Sequence, residues 1–467
     1  MKIKHLLSCI VLFISTRVVA QIAQIWGTTE YGGAYNGGTL FSMNADGSNF
    51  NIAHSFNYPA GYGPRGNLFM ASDGNLYGTC FYGGAYLSCT IYRYNPVSGD
   101  YNDVYCFQGM EGDYPTSGVV ETNGTLYGAT SLGGLNDAGV IYSFNISTGV
   151  YSDLYDMIWS GGYYDVCTPL IASDGKLYGP IAYGGADGVG ALYSFDLTGN
   201  IYSVMHDFDT LNGALPYGSL IQATDGKLYG MTMFGGINNV GIIFSFDPSD
   251  NSYEKLHDFD GANGGQPMGA LAQGSNGTIY GLTTGGGSNN KGVIFSLDLT
   301  NNIYTKLFDF SYTDGSVPVG NLMQTGNILC GTTFEGGANS NGTVFNFNLL
   351  TNTYNKLLDF DGTNGSQPNC GLISLGEVTS GVQTPAVNEF TVYPNPVTQY
   401  ANCKASSFNN QKVIITVTDL SGKEIFSQQL MMRNSQLKID LGNLTSGIYF
   451  LELMAGDRKK MAKVVKE

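Results

Sequence analysis

The sequence predicts an all-β protein built from repeated four-stranded units, with a second, smaller β module behind them. Three observations carry this: the composition, a period of about 51 residues, and a change of pattern near residue 388. Of 467 residues, 43% are hydrophobic but only 12% are charged, with 66 glycines and 32 tyrosines. Roughly a quarter of an ordinary soluble protein is charged. Glycine and aromatic residues disfavour helix while charged helix formers are scarce, so helical architectures are excluded. Disorder is excluded too, because it needs low hydrophobicity and high charge.

The N-terminus carries Lys2 and Lys4, an apolar run from Leu6 to Ile14, and Val18-Val19-Ala20. This is the pattern of a secretory signal peptide, residues 1–20, cleaved after a small residue. The apolar run is too short to span a bilayer, and no other stretch reaches the roughly 20 apolar residues a spanning helix needs. The mature chain is therefore expected to be exported and to lack a transmembrane segment.

From residue 21 to 375 the chain repeats. Leu-Tyr-Gly or a close variant ends at Gly27, Gly78, Gly128, Gly179, Gly230, Gly281 and Gly331, and a Gly-Gly pair begins five residues after each. In one copy, Gly269 to Gln273 is a short apolar segment and Thr278 to Thr283 a second. Val293 to Leu297 is a third, and Tyr304 to Phe310 a fourth. Short β-branched or aromatic segments bounded by Gly, Asn and Asp read as strands joined by hairpins. Each copy is thus an antiparallel meander, and four-stranded meanders at this period are propeller blades. The first copy lacks an opening strand, while Pro368 to Leu375 supplies a surplus one. A seven-bladed β-propeller closed by strands from both chain ends follows, which removes the free edge that invites aggregation.

These motifs resemble the GloVer tandem-repeat family of secreted proteins. The resemblance rests on Asp225 to Thr232, the following Gly-Gly, Gly241 to Phe244 and Phe259 to Pro267, and it implies no enzymatic activity. A looser likeness to kelch blades fails at the tryptophan, because only Trp26 and Trp159 exist.

Residues 376–387 lack periodicity and read as a linker. Residues 388–467 contain short strands dense enough for a small Ig-like β-sandwich. This module is similar to the type A sorting domain of type IX secretion cargo. The likeness is carried by Tyr393-Pro394-Asn395-Pro396, by Asp419 to Lys423 with Gly422, by Leu444 to Tyr449 with Gly447, and by Lys463 to Lys466. It implies passage across the outer membrane of a Bacteroidota-type bacterium, with the secretion machinery as partner and the outer-membrane surface or the medium as destination.

Charge separates the two modules. The region between the signal and residue 388 holds eight basic and thirty acidic residues, a balance of −22, against +3 from Asn388 onward. A nucleic acid partner is thereby excluded, since a polyanion is repelled.

Candidate chemistry is sparse. His54, His206 and His257 occupy one repeat position that other copies fill with Tyr105, Tyr155, Phe308 and Leu358, which marks packing and leaves no catalytic residue to assign. Asp207, Asp258, Asp309 and Asp359, with Asp209, Asp260 and Asp361, recur with the scaffold, as acceptors for backbone N–H groups in the joint between blades. Asp260, Asn263 and Gly264 offer oxygen ligands for Ca²⁺, but without the spacing of a known calcium loop; no other cofactor is implied. Seven cysteines follow Cys9, and Cys80 with Cys89 or Cys330 with Cys370 would pair as disulfides, or else all serve as small buried residues.

A binding face is the better-supported expectation. The Gly-Gly loops and the joints fall on one rim, where Tyr31, Tyr82, Tyr183, Phe234 and Glu335 precede Gly-Gly. Trp159, Tyr163 and Tyr164 break the repeat in the third joint. Exposed aromatic residues there would stack on a glycan or a protein ligand. The alternatives are a polysaccharide-active enzyme using the non-repeating acids Glu30, Glu111 and Glu335, and a purely structural surface protein.

Overall fold

The computed structural model describes residues 23–85, 89–158, 167–375, 390–393, 397–405, 412–418, 423–433, 436–455 and 458–466. The signal peptide, the linker and Trp159, Tyr163 and Tyr164 lie outside the described residues. Contacts divide the chain into two units, 1–381 and 382–467.

Among the described residues of the first unit, every regular element is a strand, and the strands form seven antiparallel sheets in chain order. The sixth is representative: Ala272–Gln273, Ile279–Thr283, Val293–Asp298 and Ile303–Asp309 lie side by side as a meander. Its third and fourth strands shift register between Ile294 and Phe295, and the same shift recurs in the other sheets. Among the described residues the second sheet alone is wider, because both Tyr62–Pro64 and Phe69–Met70 pair with Leu76–Tyr82. In the first sheet, Ile373–Leu375 pairs antiparallel with Gln24–Thr29, joining Trp26 to Ile373 and Gln24 to Leu375.

The buried core explains why no sheet stands alone. Trp26, Leu40 and Phe56 of the first sheet pack with Leu76 and Tyr92 of the second. Corresponding clusters join each later pair, and Cys330, Val344 and Phe360 of the seventh pack against Ile25, Phe41 and Met43 of the first. The amide of Asn346 also donates to the Ala45 carbonyl at 3.0 Å, tying the last sheet to the first.

The Leu-Tyr-Gly signature has a packing cause. In each sheet the tip of the third strand's aromatic ring occupies the space beside that glycine: a Cβ on Gly281 would sit 2.4 Å from Phe295 Cζ, and one on Gly128 2.4 Å from the Tyr142 hydroxyl. The position shared by histidine and aromatics also resolves into packing. His54, His206 and His257 stack on Tyr101, Tyr253 and Tyr304 of the following sheet, with centroids 3.9, 3.7 and 4.1 Å apart. Tyr105, Tyr155 and Phe308 stack the same way on Tyr151, Tyr202 and Tyr354. Burial lowers the pKa of all three histidines, so they sit neutral between sheets.

Two expectations need correction. The opening strand expected over Gly269–Gln273 is paired only at Ala272–Gln273, because residues before it bond sideways to the neighbouring sheet instead. The proposed disulfides are absent: all seven described cysteines are free thiols. Cys80 and Cys89 belong to different inter-sheet clusters, as small buried apolar groups. Cys330 is core to the last junction, while the Cys370 thiol donates to the Arg65 carbonyl at 2.9 Å.

The second unit forms two sheets around one core. Phe390–Tyr393, Tyr400–Ala405 and Gln436–Asp440 make one; Glu424–Met431, Lys412–Thr418, Gly447–Ala455 and Arg458–Lys466 make the other. Ala401, Cys403 and Ile439 meet Val413, Ile415, Leu451 and Leu453 between them.

Candidate functional site

The joint between sheets runs into a short inner segment, of pattern Pro-x-Gly-x-Leu in four of the seven copies, as in Pro267-Met-Gly-Ala-Leu271. The inner segments lie against one another. A Cβ on Gly218 would come within 2.2 Å of the Gly269 carbonyl oxygen, and one on Gly269 within 2.4 Å of that of Gly320. Glycine is therefore dictated by the close approach of neighbouring backbones. Side chains lock the same contacts: Asn321 Oδ1 accepts the Ala270 N–H at 2.7 Å and Asn67 Oδ1 accepts that of Gly371 at 3.0 Å. The Thr168 hydroxyl accepts the Gly118 N–H at 2.8 Å, and the Cys167 thiol donates to the Tyr217 carbonyl at 3.0 Å.

These segments surround a cavity of about 170 Å³ to which all seven sheets contribute. The residue after the joint lines it in every copy: Arg65, Thr116, Cys167, Tyr217, Met268, Val319 and Asn369. No two of the seven are alike, although the residue before is proline in six copies and the residue after is small in all seven, glycine in four. Arg65 is held by the buried Glu30 carboxylate, with Nε at 3.0 Å and a terminal nitrogen at 2.7 Å, and its guanidinium lies 4.0 Å from the centre of the Phe81 ring. The other Glu30 oxygen accepts from the Asn369 amide at 3.3 Å.

The rim residues expected from the sequence are brought onto this frame by their backbones. Tyr31 bridges to Ser366, Phe234 to Ala214 and Glu335 to Ser316, each pairing a Gly-Gly loop with the joint of the preceding sheet. Two connect to the cavity. The Tyr183 hydroxyl meets that of Tyr217 at 2.9 Å. The Tyr31 hydroxyl pKa is raised, first by its hydrogen bond to Glu30 and then by burial, and Tyr31 also touches Arg65. Tyr82 instead stacks on Tyr62 with centroids 5.2 Å apart, and Phe234 and Glu335 are half-buried. Sequence reasoning missed Arg65, Asn67, Thr116, Tyr217, Met268, Asn321 and Asn369. The signal was present as the variable residue inside Pro-x-Gly-x-Leu.

The repeated acids divide their work differently from the expectation. Asp207, Asp258, Asp309 and Asp359 reach back to the Gly-Gly loop, accepting the N–H of Ala186, Ile237, Ser288 and Ala338, each at 2.8 Å. Lys255, Lys306 and Lys356 pair with the last three at 2.9–3.0 Å. The second set does hold the joints: Asp209 accepts the N–H of Asn212 at 2.7 Å and Asp260 that of Asn263 at 2.6 Å. The Asn212 N–H holds the Asp209 carboxyl below its ordinary pKa. Of the non-repeating acids, Glu30 is committed to Arg65 and Glu111 accepts from the Tyr105 hydroxyl.

In the second unit Tyr393 pairs with Asn402 and Lys463 with Phe450 along their strands. The Tyr449 hydroxyl donates to the Thr445 carbonyl at 3.0 Å, and Gly447 pairs with the buried Lys466, whose neighbour Val465 accepts from Val397 at 2.8 Å. Pro394, Asn395, Pro396, Asp419 and Gly422 lie outside the described residues.

Repeated antiparallel sheets followed by a small β module define a modular all-β repeat protein. The chain belongs to the Gloeobacter/Verrucomicrobia repeat family, whose profile matches residues 14–166 and 165–391. A secretion system C-terminal sorting domain, of the type IX system, matches residues 391–467 and sends the protein to the cell surface or the extracellular space. Solved structures with propeller-like folds resemble it. A candidate 6-phosphogluconolactonase of Bacteroides fragilis is 15% identical with a TM-score of 0.56, over 77% of this chain and 99% of that one. One from Bacteroides uniformis is 14% identical with a TM-score of 0.53, over 76% and 99%. At such identity the likeness concerns the fold alone. No curated protein matches the chain significantly. No helix among the described residues is long and apolar enough to cross a membrane.

Proposed function

We propose that this is a non-enzymatic binding protein of the cell surface, a seven-bladed propeller that holds its ligand at the mouth of the axial cavity. In this reading residues 1–20 direct export from a Bacteroidota-type cell, 21–375 form the ring, 376–387 link it, and 388–467 are an Ig-like sandwich read by the type IX machinery. The supporting observation is the contrast within the repeat: a constant scaffold presents seven different side chains to one cavity. A purely structural ring has no use for such variation, since identical copies pack equally well. Tyr31 and Tyr183, which touch cavity residues, extend the site to the rim, where Tyr82, Phe234 and Glu335 flank a glycan or protein ligand.

The enzyme alternative loses support because two of its three acids and all of the histidines are engaged elsewhere. Glu30 neutralises Arg65, Glu111 holds Tyr105, and the histidines are stacked between sheets. The test is a glycan and surface-protein array probed with the mature chain, alongside product analysis of the bound fraction. Saturable binding without turnover is expected. Release of soluble sugar that Glu335→Gln abolishes would overturn the reading.

A further inference from the structure

Resting on the axial site just proposed, the geometry points to a single neutral sugar ring as its ligand. Three properties of the cavity converge on that class: the balance of its charge, the division of its wall, and its size.

Charge comes first. Among the described residues, the one Lys, Arg, Asp or Glu side chain lining the cavity is Arg65, and the buried Glu30 lies against it at 2.7 Å. The pair is electrically balanced, so it supplies directed N–H groups without a net field to select an anion. A phosphate or carboxylate ligand would have to compete with Glu30 for the same guanidinium. A cationic ligand would meet the guanidinium itself.

The wall is divided in the order of the sheets. Asn369, Arg65, Asn67 and Thr116, from the first three sheets, make a polar arc. Tyr217, Met268 and Val319, from the fifth to the seventh, set aromatic and aliphatic surface opposite, with Ser219 and Asn321 as the polar groups among them. Within the polar arc the amides are pre-oriented. Asn67 spends its Oδ1 on the Gly371 N–H, so its amide hydrogens are what it offers the cavity; Asn369 spends Nδ2 on Glu30, so its Oδ1 is what it offers. On the seventh sheet, outside that arc, Asn321 repeats the arrangement of Asn67, with Oδ1 on the Ala270 N–H. Donors and an acceptor in fixed positions opposite an aromatic and aliphatic wall match a pyranose, whose hydroxyls project around the ring while its C–H groups form an apolar face.

Size sets the limit. About 170 Å³ lies below the roughly 300–1,000 Å³ of pockets that enclose drug-sized molecules. One ring fits, and further sugars of a chain would extend outward toward Tyr183 and Tyr31. The ligand is then either a free neutral monosaccharide or the end residue of a neutral glycan.

Isothermal titration of the mature chain with D-glucose, D-galactose and D-mannose tests the class, with D-glucuronate and inorganic phosphate as charged arms. A methyl-capped neutral tetrasaccharide distinguishes a chain end from a free sugar. At least one neutral sugar is expected to bind saturably and more tightly than glucuronate. Met268→Trp, which fills the cavity, and Thr116→Val, which removes a hydroxyl at nearly constant volume, should each weaken it, by about tenfold or more for the first. Far-UV and near-UV circular dichroism confirm that each variant is folded, and Thr116→Val carries the test if Met268→Trp is not. Neutral sugar binding unchanged in the folded variants overturns the site. Binding of glucuronate or phosphate alone, lost in the same variants, overturns the neutral class while leaving the axial binding site standing. Absence of any sugar binding overturns the inference.

Discussion

Gly281→Ala isolates the contact that makes the repeat legible. The added Cβ would lie 2.4 Å from Phe295 Cζ, 2.8 Å from Phe295 Cε1 and 2.9 Å from Leu271 Cδ2. Comfortable carbon contacts are about 3.5–4.0 Å, so the ring must retreat by roughly 1 Å. It has nowhere to go: Phe295 is fully buried, with Tyr304 and Phe259 at centroid distances of 5.2 and 5.5 Å. Overpacking of this kind costs about 1–3 kcal/mol, offset by about 0.4–1 kcal/mol from restricting the unfolded chain. A net loss of roughly 1–2 kcal/mol is expected. Urea denaturation read from the midpoint at constant slope is the suitable assay. Shortening the ring in Gly281→Ala/Phe295→Leu should leave the pair less destabilised than the sum of the single changes. A single variant as stable as wild type, or a strictly additive double variant, would refute the account.

Other outcomes follow from the same geometry. The three histidines have folded pKa values below 6.5, so their contribution is complete above the unfolded value and lost as pH falls through it; urea midpoints should drop below about pH 6.5, and His206→Phe should flatten that drop. Asp258→Asn loses the ion pair to Lys255 and weakens the bond to the Ile237 N–H, and should cost about 1 kcal/mol by the same assay. Burial pushes the Cys330 and Cys370 thiols up to about 12, so a thiol reagent should leave both unmodified in the native protein and reach them in urea, while dithiothreitol leaves the melting temperature unchanged. Removing residues 391–467 should abolish delivery to the surface, scored by antibody labelling of intact cells.

The second, third and fourth strands of each unit were legible because hairpin turns and alternation are local. Their signals lie within about 30 residues of sequence, as from Ile279 to Asp309. The histidines were legible as packing because seven copies of one position could be compared, although the partner tyrosine lies in the next sheet. The first acid of each joint was misassigned. Asp258 reaches Ile237, 21 residues earlier, since the meander brings the end of its last strand beside the Gly-Gly loop. The opening segment was overestimated, because its backbone groups turn to neighbouring inner segments that hydropathy alone does not locate.

By itself the sequence determined the unit, the number of copies, the charge asymmetry and the sorting module, all of which are periodic or local patterns. The lining of the shared cavity was decided by tertiary structure. Arg65, Tyr217 and Asn369 are separated by about 150 residues of chain, and each looks like noise within its own repeat. They become one site only when the repeats pack side by side around a shared cavity and the last sheet meets the first. A repeat specifies what neighbours share; the cavity is lined by what they do not share, at the place where all of them meet.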